Sequence, residues 1–172
     1  MNGLIEVFTG DGKGKTSAAL GVVMRCLGHG MRAHITFFMK GEFPYGEQEV
    51  LARLPNVTFG RFGHVEFVDA QNIKPEEKEQ AREALSDARK AVMSGEYDLV
   101  VLDEVNLASW WKLIEVDDVL RLIEEKPDNV EVILTGRRAD ARLVEKADLV
   151  TEMVEVKHPF RRGIEARKGF DY

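Results

Sequence analysis

The stretch TGDGKGKT, residues 9–16, combines three glycines with two lysines and directly follows an apolar run at residues 4–8. Its last three residues, GKT at 14–16, match the end of the phosphate-binding pattern G-x-x-x-x-G-K-[ST]. Thr9 stands where that pattern has its first glycine, so the chain must enter the loop with a different local turn. Such a loop binds phosphate when it lies between a strand and the N-terminus of a helix.

The surrounding chain predicts that context, because apolar strand-like runs alternate with helical patterns along its whole length. We therefore expect an α/β fold, an open and mostly parallel sheet with helices on both faces, in a single domain over residues 1–172. The predicted strands lie at residues 4–8, 34–39, 57–59, 98–103, 130–135 and 149–154. The predicted helices lie at residues 17–27, 48–54, 75–94, 116–125 and 139–146.

Composition narrows the classes of protein that are possible. A chain of 172 residues with 44% hydrophobic content suits one globular domain with a sizeable core. The net charge of −6 argues against a general nucleic-acid binder. No apolar stretch approaches the roughly 20 residues needed to cross a bilayer, and residues 1–10 do not resemble a signal peptide. We expect a cytoplasmic protein without a membrane or nucleic-acid partner.

The loop offers several groups that suit a polyphosphate. Backbone N–H groups of residues 12–15 can converge on phosphate oxygens, and the dipole of the following helix favours negative charge. Lys15 adds a point charge, and the Thr16 hydroxyl is a magnesium ligand. A glycine-rich turn without a ligand is the alternative. The predicted nucleotide-binding residues here are Thr9, Gly10, Asp11, Gly12, Lys13, Gly14, Lys15, Thr16 and Ser17.

The second motif is YDLVVLDEVN, residues 97–106, in which a buried strand ends at Asp103 and Glu104. Ligands of open α/β sheets gather beyond the carboxyl ends of the strands, so both acids should face the same edge as the loop. Neighbouring strand residues point to opposite faces, so one carboxylate is expected at the metal and the other elsewhere. Solvated acids at a strand end are the alternative. Both motifs together predict a magnesium nucleoside triphosphate site, which hydrolases, kinases, motors and other transferases share.

Five motifs carry a more specific resemblance: TGDGKGKT, FFMKGEFPYGE, VVLDEVN, VILTGRR and the tail VKHPFRRGIEARKGFDY. Their order and spacing, from about residue 5 to residue 172, resemble the P-loop type of ATP:corrinoid adenosyltransferase. The tail pattern K-H-x-F-x-x-G-x-x-A-x-x-G-F-D-Y is the most specific part, and Thr9 agrees with the loop variant of that family. The resemblance implies a fold like that of P-loop NTPases.

That family transfers the 5′-deoxyadenosyl group of MgATP to the Co(I) of a corrinoid and releases triphosphate. The resemblance implies catalytic roles for Lys15, Thr16 and Glu104, and metal binding by Thr16, Glu104 and Asp103. It also places Arg25 near ATP, although a solvent-facing helix arginine is the alternative. The competing hypotheses are a P-loop ATPase or switch that forms ADP and phosphate, and a nucleotide-binding scaffold without catalysis.

The family surrounds the corrinoid with apolar and aromatic residues, which FGRFGHVEFVDAQN at residues 59–72 can supply. Phe62, His64 and Phe67 are the candidate corrinoid-binding residues, and phenylalanines that simply fill the core are the alternative. The family pattern has a tryptophan before the QN pair, where this chain has Val68. Cobalamin, cobinamide or cobyrinic acid diamide is the expected corrinoid.

The resemblance also concerns the tail and the partners. We expect the tail, about residues 155–172, to form a wall of the active site, although a solvated C-terminus is the alternative. Lys40, Gly41 and Glu47, which follow the second strand, should reach the ligand edge. A homodimer and a flavoprotein electron donor are implied. Some members carry an additional N-terminal segment over the site, so we expect a more open site here, or one closed by residues 59–72.

Overall fold

The computed structural model describes residues 2–41, 43–64 and 68–172. Its strands are β1 (Ile5–Thr9), β2 (Ala33–Phe37), β3 (Val57–Arg61), β4 (Leu99–Asp103), β5 (Glu131–Thr135) and β6 (Leu149–Glu152). Its α-helices are α1 (Lys15–Gly28), α2 (Gly46–Leu51), α3 (Pro75–Met93), α4 (Val105–Trp110), α5 (Val116–Glu125) and α6 (Ala141–Lys146). A short 3₁₀ helix, Pro159–Arg162, lies in the tail.

The strands form one parallel sheet in the order β3-β2-β4-β5-β1-β6. The run LVVLD makes β4 apolar at consecutive positions, and the strand is buried along its whole length, as expected when both faces of a sheet are covered. Residues of α1 and α2 pack into one core cluster, while residues of α3, α5 and α6 pack into another. The prediction of a single α/β domain with helices on both faces is therefore confirmed.

Helix α3 illustrates how the sequence forms these layers. Pro75 occupies its first turn, where no intrahelical N–H bond is needed, and Glu77 accepts a hydrogen bond of 2.7 Å from the Lys74 backbone N–H. Its buried face consists largely of alanines, which bring the helix close to the sheet.

Among the described residues, no helix combines the length and hydropathy that a bilayer-crossing segment requires.

The element boundaries differ from the predicted ones in a few places. Strand β3 continues to Arg61, two residues beyond its predicted end. Helix α4 was not predicted at all, because Glu104 leaves β4 in a left-handed conformation (φ 66°) and the helix starts at the next residue. Non-glycine residues adopt this conformation uncommonly, so the sequence alone favours a loop here.

Candidate nucleotide-binding site

The glycine-rich loop joins the carboxyl end of β1 to the N-terminus of α1. Gly10 (φ 94°) and Gly14 (φ 113°) both have left-handed backbone angles that favour glycine. The Lys15 side chain folds into the loop, where its ammonium donates hydrogen bonds to Gly10 O at 2.8 Å and Gly12 O at 2.6 Å. Burial, the largest effect, lowers the pKa of Lys15. The Lys15 side chain thus places its amino group inside the loop, where a phosphate would stabilise its charged form.

The segment after β6 packs directly on this loop. A Cβ atom on Gly10 would lie 2.4 Å from Met153 O, and one on Gly12 would lie 2.8 Å from the same oxygen. The Gly12 N–H donates to Met153 O at 2.7 Å. We expected this N–H to converge on phosphate together with those of residues 13–15, but Met153, the residue directly after β6, already accepts its hydrogen bond. The expectation for the Gly12 N–H is therefore corrected.

Asp103 lies at the carboxyl end of β4 and is fully buried. Its Oδ1 accepts hydrogen bonds from Thr16 Oγ1 at 2.9 Å and Thr135 Oγ1 at 2.7 Å, and its Oδ2 accepts one from Lys40 Nζ at 2.6 Å. Although burial opposes the charged form, the adjoining Asp103 carboxylate raises the pKa of Lys40. Asp103 is thus held by three side chains: one from α1, one from β5 and one from the segment after β2.

The Glu104 carboxylate, in contrast to that of Asp103, is not fully satisfied by hydrogen bonds from the described residues. Its backbone N–H donates to Thr135 Oγ1 at 3.0 Å, which fixes the turn, but its Oε2 is buried and has no hydrogen-bond partner among the described residues. Burial first, and the neighbouring charge of Asp103 second, raise the pKa of Glu104. A buried carboxylate oxygen without a donor is costly unless a cation or another ligand satisfies it. Oxygen ligands of this type are what Mg²⁺ requires.

These groups open into a cavity of about 790 Å³ at the carboxyl edge of the sheet. A second cavity, of about 700 Å³, lies beside it, and Lys13, Arg137 and Asp171 line both. Lys13 forms an ion pair with Asp171 of the tail. The main cavity is lined by residues 12–17 of the loop, Leu20, Lys40, Tyr45, Gly46, Glu47, Glu104, Arg137 and residues 169–172 of the tail.

The tail is ordered against this cavity by a small set of contacts. Asp171 accepts hydrogen bonds from the Arg167 backbone N–H at 2.8 Å and from Arg167 Nε at 3.1 Å. The Tyr172 ring meets the Phe43 ring edge-on, with centroids 5.2 Å apart, and Phe43 in turn contacts Tyr45 at 4.9 Å. Residues 169–172 of the tail therefore line the cavity, while most side chains of residues 156–170 are exposed to solvent.

The structure does not bring Arg25 to this cavity. Arg25 lies in the last turn of α1 and lines a separate cavity of about 520 Å³ with Cys26 and His29. Arg25 lies nine positions after Thr16, which is about 13.5 Å along the helix axis at 1.5 Å per residue. Arg25 therefore belongs to the amino edge of the sheet, opposite the loop.

Two of the three predicted corrinoid-binding residues, Phe62 and His64, lie within the described part of the chain. Phe62 packs partly buried against the core, and its backbone pairs with Phe37 and Lys40 at 3.0 Å each. This matches the core-filling alternative for Phe62. His64 is exposed beside the first turns of α3, and Phe67 lies outside the described residues.

Two residues of this site, Thr135 and Arg137, were not predicted from the sequence, and both lie in VILTGRR. Thr135 ends β5, which lies between β1 and β4, so its hydroxyl can bridge Asp103 and Glu104. Arg137 lines both cavities, and its turn is tied to α4 by a hydrogen bond of 3.3 Å from Asn106 Nδ2 to Gly136 O. The sequence does carry a signal for both residues. They stand at the end of an apolar strand and directly beyond it, at the edge of the sheet where the glycine-rich loop lies.

A parallel α/β sheet, a glycine-rich loop after its first strand and an acidic strand end at the same edge define a protein of the P-loop NTPase-like class. A family model described as ATP:corrinoid adenosyltransferase BtuR/CobO/CobP matches residues 1–172. The chain belongs to this family.

Curated relatives agree with this assignment. A corrinoid adenosyltransferase of Sinorhizobium sp. is 40% identical, over 99% of this chain and 80% of the relative's length. The corrinoid adenosyltransferase of Pseudomonas aeruginosa is 38% identical, over 99% of this chain and 84% of the relative. That of Escherichia coli K12 is 35% identical, over 99% of this chain and 86% of the relative.

Proposed function

We propose that this chain transfers the 5′-deoxyadenosyl group of ATP to the Co(I) of a corrinoid and releases triphosphate. The match of the whole chain to a family of corrinoid adenosyltransferases carries this proposal. The cavity beside the glycine-rich loop supports it, because the loop with Lys15 faces the same space as Glu104, whose Oε2 has no hydrogen-bond partner among the described residues.

The reaction sets a clear task for the chain's own residues. An electron pair of Co(I) forms the bond to the ribose 5′ carbon, the carbon–oxygen bond breaks, and its electron pair leaves with triphosphate. Negative charge therefore grows on the leaving group, and donors that already point at it lower the barrier. Lys15 and the N-terminus of α1 supply such charge, and Arg137 lies close enough to the same cavity to add to it.

The donor set fits a bound Mg²⁺. We assign Thr16 Oγ1 and Glu104 Oε2, which has no hydrogen-bond partner in the described part of the chain, as metal ligands. Asp103 orients Thr16 through their 2.9 Å hydrogen bond. The predicted direct role of Asp103 is less well supported, because its oxygens already accept three hydrogen bonds. When bound, Mg²⁺ supplies additional positive charge for the leaving triphosphate.

The corrinoid and the partners complete the proposal. We propose that the tail, residues 155–172, forms a wall of the active site, because its last residues line the cavity beside the loop. His64 and Phe67, with Phe62 as a supporting residue, stay our candidates for the corrinoid side. Homodimer formation and a flavoprotein electron donor are proposed from the resemblance alone.

Product analysis tests the function directly. The protein is incubated with MgATP and a chemically reduced corrinoid, using cobalamin, cobinamide and cobyrinic acid diamide in turn. We expect inorganic triphosphate and a light-sensitive cobalt–carbon bond in equal amounts. ADP and orthophosphate as main products would identify an ATPase, and tight MgATP binding without turnover would identify a scaffold.

A matched pair of variants ties the activity to the loop. Lys15→Ala should lose ATP binding and transfer together, because it removes the charge inside the loop. Lys90→Ala, an exposed position on α3, should retain both. Transfer that survives in Lys15→Ala would contradict the assigned role of the loop.

A further inference from the structure

We propose that Lys40 is a second polyphosphate-binding lysine, which acts on the nucleotide phosphates together with Lys15. This inference rests on the proposed function, because it requires a polyphosphate in the cavity beside the loop. Lys40 belongs to a different part of the chain from the loop and lies outside the phosphate-binding pattern G-x-x-x-x-G-K-[ST] at residues 9–16.

The backbone around Lys40 is fixed by both neighbouring strands. The Phe38 N–H donates to Asp103 O at 3.0 Å, and the Lys40 N–H donates to Phe62 O at 3.0 Å. Met39, between them, has a left-handed conformation (φ 57°) that turns the chain at the end of β2. The Lys40 side chain is only 12% exposed. It is therefore held in place before any ligand arrives.

The ammonium lies where the phosphate end of a nucleotide is expected. Besides its bond to Asp103, Lys40 Nζ donates to Thr16 Oγ1 at 3.3 Å, and Thr16 is the hydroxyl residue of the phosphate loop. The faces of Tyr45 and Phe37 lie 5.1 Å and 5.6 Å from the ammonium. An ammonium has three N–H donors, and among the described residues its hydrogen bonds are these two. One donor is left for a ligand.

The acidic residues of the cavity indicate a second role for Lys40, which is to offset negative charge. Asp103 and Glu104 would both repel a polyphosphate, and Lys40 is the cation in direct contact with Asp103. Lys13, in contrast, is paired with Asp171 of the tail. We infer that Lys40 offsets the charge of Asp103 and also contacts phosphate with its remaining donor.

A purely structural role makes a different prediction. If Lys40 only neutralises the buried Asp103, it becomes dispensable once Asp103 is made neutral. If Lys40 contacts phosphate, its removal weakens binding whether or not Asp103 carries a charge. The two roles are thus separated by a double-mutant cycle of Lys40→Met and Asp103→Asn.

The measured quantity is the affinity for inorganic triphosphate by titration calorimetry, in EDTA and again with Mg²⁺. We expect Lys40→Met to weaken metal-free binding at least tenfold, both alone and in the Asp103→Asn background. Lys90→Met serves as the matched control and should bind like the wild type. The double variant removes both members of the Lys40–Asp103 ion pair and leaves neither charge behind, so the comparison with Asp103→Asn holds even if Lys40→Met alone does not fold.

The outcomes also separate this inference from the proposed function. Full triphosphate affinity in the double variant, relative to Asp103→Asn, would overturn the phosphate contact of Lys40 and leave the function untouched. A wild-type protein that binds neither triphosphate nor MgATP would instead overturn the proposed function.

Discussion

Replacing Glu104 by glutamine should stabilise the metal-free protein while removing its response to magnesium. The Glu104 carboxylate is buried beside Asp103, and its Oε2 has no hydrogen-bond partner among the described residues. An unsatisfied buried polar group costs about 1–3 kcal/mol, and more when it is charged. Glutamine keeps an oxygen in the same place but removes the repulsion between the two acids. We therefore expect a gain of about 1–2 kcal/mol in the free energy of unfolding.

For a domain of this size, each kcal/mol shifts Tm by about 2–4 °C, so the metal-free variant should melt about 2–8 °C higher. The assay is thermal unfolding in EDTA and again with Mg²⁺ and ATP. The wild type should gain stability from MgATP, because ligand binding to the native state raises Tm, and Glu104→Gln should lose most of that gain. Glu145→Gln, at an exposed position on α6, is the matched control. A lower Tm in EDTA, or an undiminished response to MgATP, would refute the metal assignment.

Three further predictions concern other parts of the fold. Burial first, and a hydrogen bond and repulsion from Glu131 second, raise the pKa of Glu6 to about 7. Because the pKa of Glu6 is higher in the folded protein, its protonated form stabilises the fold. That stabilisation is complete below about pH 4.5 and is lost as the pH rises through about 7. After a discount for solvent screening, the change in the free energy of unfolding is about 1–2 kcal/mol, and Glu6→Gln should remove it from a series of unfolding curves between about pH 4 and about pH 8; an unchanged pH dependence would contradict the raised pKa of Glu6. Asp171→Asn should release the tail from Lys13 and weaken the turn between Arg167 and Asp171, so trypsin should cut faster after Arg167 and Lys168, while Glu165→Gln should be cut like the wild type; equal rates for all three proteins would argue against the anchoring contact. Gly10→Ala should destabilise the protein by at least about 2 kcal/mol, because its Cβ overlaps Met153 O and its φ is positive. Gly21→Ala, in open space on α1, should instead stabilise it by up to about 1 kcal/mol in denaturant unfolding; similar effects at both glycines would be inconsistent with this packing.

The sequence predicted the features that depend on local pattern. The strand, loop and helix around Lys15 lie where expected, because apolar runs and glycine spacing encode them within a short window. Asp103 is likewise at the end of its strand. The fold class follows from the alternation of these elements, which needs no knowledge of distant contacts.

What the sequence did not predict depends on contacts between distant segments. The left-handed Glu104 is held by Thr135, 31 residues away, so no pattern within β4 could indicate it. The ion pair between Lys13 and Asp171 spans 158 positions, and the tail has little periodicity of its own. Arg25 was assigned from resemblance alone, and the length of α1 places it at the other end of that helix. Its role at ATP stays a prediction.

The close fit between the glycine-rich loop and residues 153–154 restricts how this site can be transplanted. The loop contacts the backbone of this segment through Gly10 and Gly12, and the Gly12 N–H is bonded to Met153 O. A chimera that receives TGDGKGKT alone would lack the surface on which the loop is shaped. Grafting therefore has to move two pieces that are almost a whole chain apart in sequence, and homologous exchange should succeed only when both come from the same parent.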